Sequence, residues 1–104
     1  MSNPIVHIHP VDVKERLKRG EKLNIVDVRE DEEVAAGKIP GAKHIRLNDL
    51  PQRYKEIDPD EETIMVCRSG NRSAVACEYL YGLGYRNVKN MMGGMSAWEG
   101  DLEK

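Results

Sequence analysis

The 104-residue chain has only two cysteines, Cys67 and Cys77. Small secreted scaffolds that cannot build a large core are dense in disulfides, so two cysteines point away from that class. With reduced thiols as the default, reactivity becomes the question to ask of them, ahead of crosslinking. Long apolar runs are missing as well: none approaches the roughly 20 residues of a membrane-spanning helix. The opening "MSNPIVHIHP" lacks a basic start followed by an apolar block, so it does not read as a secretory leader. Nor is there an excess of charge of one sign. The net charge of -2 gives no general attraction to nucleic acid or to an anionic membrane. A cytoplasmic location is expected, with no nucleic-acid and no membrane partner. Repeats, low-complexity tracts and linkers are absent, and the length suits one compact domain over residues 1–104.

Short apolar runs alternate with amphipathic stretches. "IVHI" (5–8) reads as a strand, and "PVDVKERLKRG" as a helix that Pro10 opens and Gly20 stops. "LNIVDV" (23–28) and "TIMVC" (63–67) are rich in β-branched residues and read as buried strands. Between them, "REDEEVAAGKIPG" opens as an acidic helical turn and ends in a loop, "AKHIRL" can return as a strand, and "NDLPQRYKEIDPDEE" reads as a short helix and surface loop. "SAVACEYLYGLG" (73–84) is helical, with Ala76, Leu80 and Leu83 on the face toward the sheet. "YRNVKNM" holds a last strand, followed by a Gly-Gly turn and a short helix around Trp98. Strands separated by helices predict an α/β domain with a central, mainly parallel sheet flanked by helices. In such sheets ligands bind beyond the carboxyl ends of strands, at a switch in strand order. "TIMVC" ends on Cys67, so the thiol sits where this architecture places chemistry.

The stretch "CRSGNRS" then turns within a few residues into the next helix. Gly70 supplies unusual backbone geometry, and Asn71 also tolerates a left-handed conformation. Successive N–H groups form a concave nest, and the helix adds the partial positive charge of its N-terminus. Arg68 and Arg72 add charges that stay protonated at physiological pH. Each of these favours thiolate over thiol, so the Cys67 pKa is expected to be depressed and the substrate to be a small anion. Ser73 either caps the helix or donates to the sulfur, and capping is the reading taken.

Four pieces together resemble the single-domain rhodanese family of sulfurtransferases: "NIVDVRE", "GKIPGAKHI", "IMVCRSGNRSAVACEYLYGLGY" and "NMMGGMSAW". They span about Val11 to Trp98. The resemblance implies a rhodanese fold, with Cys67 carrying transferred sulfur as a persulfide. It implies that Arg68, Ser69, Gly70, Asn71, Arg72 and Ser73 form the anion-binding loop, and that "GGMSAW" shapes a wall near the site. Asp27 and Arg29 are then supporting residues that hold nearby chain in place. The donor would be a small sulfur-bearing anion such as thiosulfate, and the acceptor a thiol or protein cysteine. Neither metal nor organic cofactor is expected. A cysteine phosphatase or arsenate reductase on the same scaffold is the competing enzyme. Its C-x5-R loop would need arginine where this chain has Ser73, because Arg72 comes one residue early. A regulatory module without catalysis is the third reading.

Other residues carry weaker signals. His7 and His9 alternate along a presumed strand, and without a third ligand they read as a polar face. His44 reads as structural. Cys77, in the helix, reads as packing, with a resolving thiol as the alternative. Met91, Met92 and Met95 read as gap-fillers, Trp98 as a core anchor, and Glu30 to Glu33 as a solvated first turn of helix.

Overall fold

The computed structural model describes residues 5–104. The first four residues of the segment that does not read as a leader lie outside this range. The strands are β1 (Val6–Ile8), β2 (Asn24–Asp27), β3 (Lys43–His44), β4 (Thr63–Val66) and β5 (Val88–Met91). The helices are α1 (Pro10–Lys18), α2 (Asp31–Ala35), α3 (Leu50–Arg53) and α4 (Asn71–Gly82). Single 3-10 turns flank α3, and another spans Gly94–Ala97. The strands pair in the order β1-β5-β4-β2-β3, and every pairing is parallel.

A parallel sheet is covered on both faces, and the side chains of its central strand sort alternately to each side. In β4 all four residues are buried. Ile64 and Val66 join a core with Val13, Ile39 and Met91, against which Leu17, Met95 and Trp98 pack. Met65 and the following Cys67 join the opposite core with Leu50, Ala76, Cys77 and Leu80. Thus α1 covers one face, and α3 and α4 the other.

Local chemistry sets where the helices start and stop. Pro10 sits in the first turn of α1, where its missing N–H costs nothing. At the other end Gly20 adopts φ +85°. Its N–H donates to the Leu17 carbonyl at 3.0 Å and that of Glu21 to the Arg16 carbonyl at 3.1 Å, a Schellman stop. Helix α4 begins two residues ahead of the expected Ser73. Gly70, at φ +97°, makes the whole turn as the N-cap, so Asn71 is already helical and the left-handed geometry it could tolerate is not used. Leu83 also departs from expectation. The helix ends at Gly82, Leu83 leaves helical geometry, and it is 43% exposed while Ala76 and Leu80 are buried.

The chain runs from β2 outward to β3 and then crosses to β4 on the other side of β2. The switch in strand order therefore lies between the carboxyl ends of β2 and β4, which carry Asp27 and Cys67. At the end of β2, Arg29 grips Asp27 with Nε at 2.9 Å from Oδ1 and Nη2 at 2.8 Å from Oδ2. Its Nη2 also donates to the Gly37 carbonyl at 2.8 Å, which ties the loop after α2 to the sheet. Both residues are buried. Removing one member of a buried pair strands the other charge, which costs about 3–5 kcal/mol. Asp27→Ala should therefore lower the unfolding free energy by about 3–5 kcal/mol in urea titration. A loss below about 1 kcal/mol, the range of exposed pairs, would refute this account.

Candidate active site

Cys67 lies one residue past the end of β4, with no solvent-exposed surface. From there the chain passes through Arg68 and Ser69, both exposed, to the buried Gly70. The segment after β5 presses against this loop. The Met95 N–H donates to the Cys67 carbonyl at 2.8 Å, and the Ser96 N–H to the Arg68 carbonyl at 2.9 Å. So close is the approach that a Cβ on Gly94 would stand 2.4 Å from the Cys67 carbonyl oxygen and 2.6 Å from the Arg68 carbonyl carbon. Only glycine fits there. A trans peptide is planar, with C=O and N–H on opposite sides. Pinning the carbonyls of Cys67 and Arg68 outward therefore turns the N–H groups of Arg68 and Ser69 the other way.

The result is a set of donors around the sulfur. The Gly70 N–H lies 3.0 Å from Sγ, and the Ser73 hydroxyl 3.3 Å. Burial pushes the Cys67 thiol up. The Ser73 side chain and the backbone N–H groups of Ser73, Gly70 and Ser69 push it down further, so it lies below its ordinary value. The expected direction is present, but its main causes are these hydrogen bonds.

Two of the arginine and serine expectations need correction. Arg72 is not a free charge in the loop. Its Nη1 and Nη2 clasp Glu33 at 2.8 and 2.9 Å. Glu33, read as part of a solvated helical turn, is held down to about 2, with the Arg72 hydrogen bonds the largest cause. The acidic run reaches Arg72 because α2 follows β2 and so opens at the same end of the sheet as the loop. Ser73 does not cap α4, because Gly70 holds the N-cap and places Ser73 within the first turn. Its hydroxyl turns inward to Cys67 and to the Asn90 side chain. Among the described residues the Arg68 guanidinium makes no ion pair, which leaves it the unneutralised cation of the loop.

The remaining candidates fall away from the sulfur or behind it. Asp27 and Arg29 bind each other and Gly37. His44 is tied by Nε2 to the Arg29 carbonyl at 2.7 Å. His9 is the N-cap of α1, off the strand, so it does not continue a face with His7. Met91 is buried in the core, whereas Met92 is exposed. Cys77 is a free thiol packed in the α4 core, pushed up to about 12 by burial and then by the nearby Glu78 charge. Sequence reasoning assigned no role to Asn90. It is 3% exposed, in β5, where only Lys89 is part-exposed, and its Nδ2 donates to the Gly70 carbonyl at 3.1 Å. The available signal was a polar, uncharged residue between the apolar Val88 and Met91, near the carboxyl end of a strand.

Comparison with known proteins agrees with this geometry. The family model described as Rhodanese-like domain matches residues 9–101. YtwF of Bacillus subtilis (strain 168) is 47% identical over 99 residues, covering 95% of this chain and 95% of that protein. The thiosulfate sulfurtransferase GlpE of Pseudomonas entomophila (strain L48) is 38% identical over 80 residues, covering 77% of this chain and 73% of that protein. A rhodanese-like domain protein from Staphylococcus aureus superposes with a TM-score of 0.89 at 38% identity, covering 95% of this chain and 97% of that one. With a matching family across almost its whole length and a rhodanese-like arrangement of strands and loop, the chain belongs to the rhodanese-like domain family.

Proposed function

We propose that the protein is a sulfurtransferase that takes sulfane sulfur from a small anionic donor such as thiosulfate, carries it on Cys67 as a persulfide, and yields it to a thiol acceptor. The observation that carries this reading is the ring of donors on the Cys67 sulfur: Gly70 N–H, Ser73 hydroxyl and the neighbouring loop amides. Hydrogen bonds that favour the thiolate raise the fraction able to attack and improve Cys67 as a leaving group. In this reading a single domain over residues 1–104 carries the chemistry, and the family model's match to residues 9–101 supports it.

The reaction has two halves. The Cys67 thiolate attacks the outer sulfur of thiosulfate. A new S–S bond forms, the donor's S–S bond breaks, and its electron pair leaves with sulfite. Charge is conserved, and the anion on the outer sulfur of Cys67–S–S⁻ faces the same preorganised donors. An acceptor thiolate, or cyanide in an assay, then attacks the outer sulfur and returns Cys67 to thiolate. Sulfite leaves without needing a proton, so no general acid is required.

Loop length supports this reading over a phosphatase. A C-x5-R loop would place arginine at Ser73, which is buried with its hydroxyl on the sulfur, and Arg72 points to Glu33. The loop's remaining free cation, Arg68, is then the side chain that meets the donor anion.

Exposure of the full chain to thiosulfate should add one sulfur to the intact mass, mapped to Cys67 and removed by cyanide. Cys67→Ser should acquire none. Cys77, with its thiol near 12, should stay unmodified in the folded protein. Absence of any added sulfur with thiosulfate or other sulfane donors, or its location on Cys77, would overturn the reading.

Arg68→Ala should raise the KM for thiosulfate about tenfold, the equivalent of one charge-assisted hydrogen bond. Arg72→Ala should act mainly through the loss of its Glu33 anchor, and so lower thermal stability. Steady-state kinetics and melting curves separate the two. A larger KM effect at Arg72 than at Arg68 would refute the assignment.

A further inference from the structure

Asn90 is bonded on every polar atom it has. Its Nδ2 donates to the Gly70 carbonyl at 3.1 Å and lies 3.3 Å from Nδ1 of His7, the neighbouring residue on β1. A carbonyl can only accept, so the NH2 end of the carboxamide faces Gly70. Oδ1 therefore faces Ser73, and it can only accept. The Ser73 hydroxyl has a single proton and two claimants for it: Asn90 Oδ1, in a short contact, and Cys67 Sγ at 3.3 Å.

The two acceptors suit two states of the sulfur. With Cys67 as thiol, its S–H can donate to Ser73 Oγ while the hydroxyl proton points to Asn90. Once the thiol proton has gone to solvent, the sulfur only accepts, and the hydroxyl proton turns to it. Both Ser73 and Asn90 are buried, where an unmade hydrogen bond is costly. The Gly70 carbonyl that Asn90 holds also accepts from Ala74 N–H at 3.2 Å, so the same side chain seats the first turn of α4 and thereby the position of Ser73.

We propose that Asn90 is a positioning residue for the Cys67 sulfur, acting through Ser73: it anchors the start of α4 and holds the Ser73 hydroxyl proton until the sulfur becomes anionic. The charged and titratable groups around this network are Arg72, on α4, whose charge interacts with Cys67, and His7, on β1, against Asn90. Neither supplies the hydroxyl proton. The role serves the sulfur-transfer reading above, but it is a property of the free thiol and can be tested without any sulfur donor.

The first test uses wild-type protein, labelled with 15N. The Asn90 side-chain amide signals should move with pH at the same midpoint as the rate of Cys67 alkylation by iodoacetamide. In Ser73→Ala that movement should be largely lost. The second test is Asn90→Asp. A carboxylate cannot donate to the Gly70 carbonyl, holds the Ser73 proton more strongly and adds a like charge. The Cys67 alkylation midpoint should rise by about one pH unit or more. The rise should be smaller in a Ser73→Ala background, where no hydroxyl remains to be contested. Asn90 signals flat through the Cys67 midpoint would overturn the proposal. So would a variant with lowered melting temperature but an unmoved alkylation profile, or the same rise with and without the Ser73 hydroxyl. Failure of thiosulfate to load Cys67 would refute the preceding reading and leave these results standing.

Discussion

The site depends on one constraint, the pinning of the Cys67 and Arg68 carbonyls by the backbone of Met95 and Ser96. Once those two oxygens are held outward, peptide planarity directs the loop's N–H groups the other way. The positive φ of Gly70 completes the turn and brings its own N–H to the sulfur. Gly94 is required because the pinning strap runs so close that no side chain fits between it and the loop. The two glycine-bearing segments, far apart in sequence, thus form one device: one supplies the donors and the other aims them.

This device uses dipoles where the arginines first drew attention. Arg72 is paired with Glu33, which fastens α4 to α2, and its charge is felt by Cys67 only as a lesser contribution beside the hydrogen bonds on the sulfur. That fastening is robust to acid. Glu33 is held down to about 2, so its contribution is complete above the ordinary carboxylate range and is lost only as pH falls toward 2. The donors on the sulfur are backbone and hydroxyl groups, which do not titrate at all in this range. Salt screening, which weakens exposed charge pairs, reaches a buried cluster of N–H dipoles far less.

The parallel sheet, the strand that ends at Cys67 and the glycine turn were legible because each rests on local signals: β-branched runs, Pro and Gly punctuation, and apolar spacing along α1 and α4. What was not legible came from contacts across the chain. Whether Ser73 caps its helix or faces the sulfur depends on which residue takes the N-cap, and Gly70 does so because the turn needs φ +97°, at a place where the Gly93 backbone nitrogen already stands 3.2 Å from where a Cβ would lie. The pairing of Arg72 with Glu33 joins residues 39 apart, and the Asn90 contact with Gly70 joins residues 20 apart. The resemblance to rhodaneses pointed to the same loop as these local signals. It carried no information on where these side chains point.

The two cysteines make the physical point most directly. Both are buried without exposed surface, on the same face of the sheet, yet one thiol lies below its ordinary value and the other near 12. Burial acts in the same direction on both. The difference is that Cys77 sits on a helix whose own N–H groups are occupied within the helix, among apolar neighbours. Cys67 sits where the chain has left the sheet and not yet entered the helix, so several N–H groups have no partner in regular structure and converge on its sulfur. The lowering at Cys67 therefore follows from the Ser73 hydroxyl together with a local surplus of unpaired backbone donors at a strand-to-helix turn. Exposure does not separate the two thiols, since neither has any; the hydrogen bonds on Cys67, absent at Cys77, are the larger part of the difference.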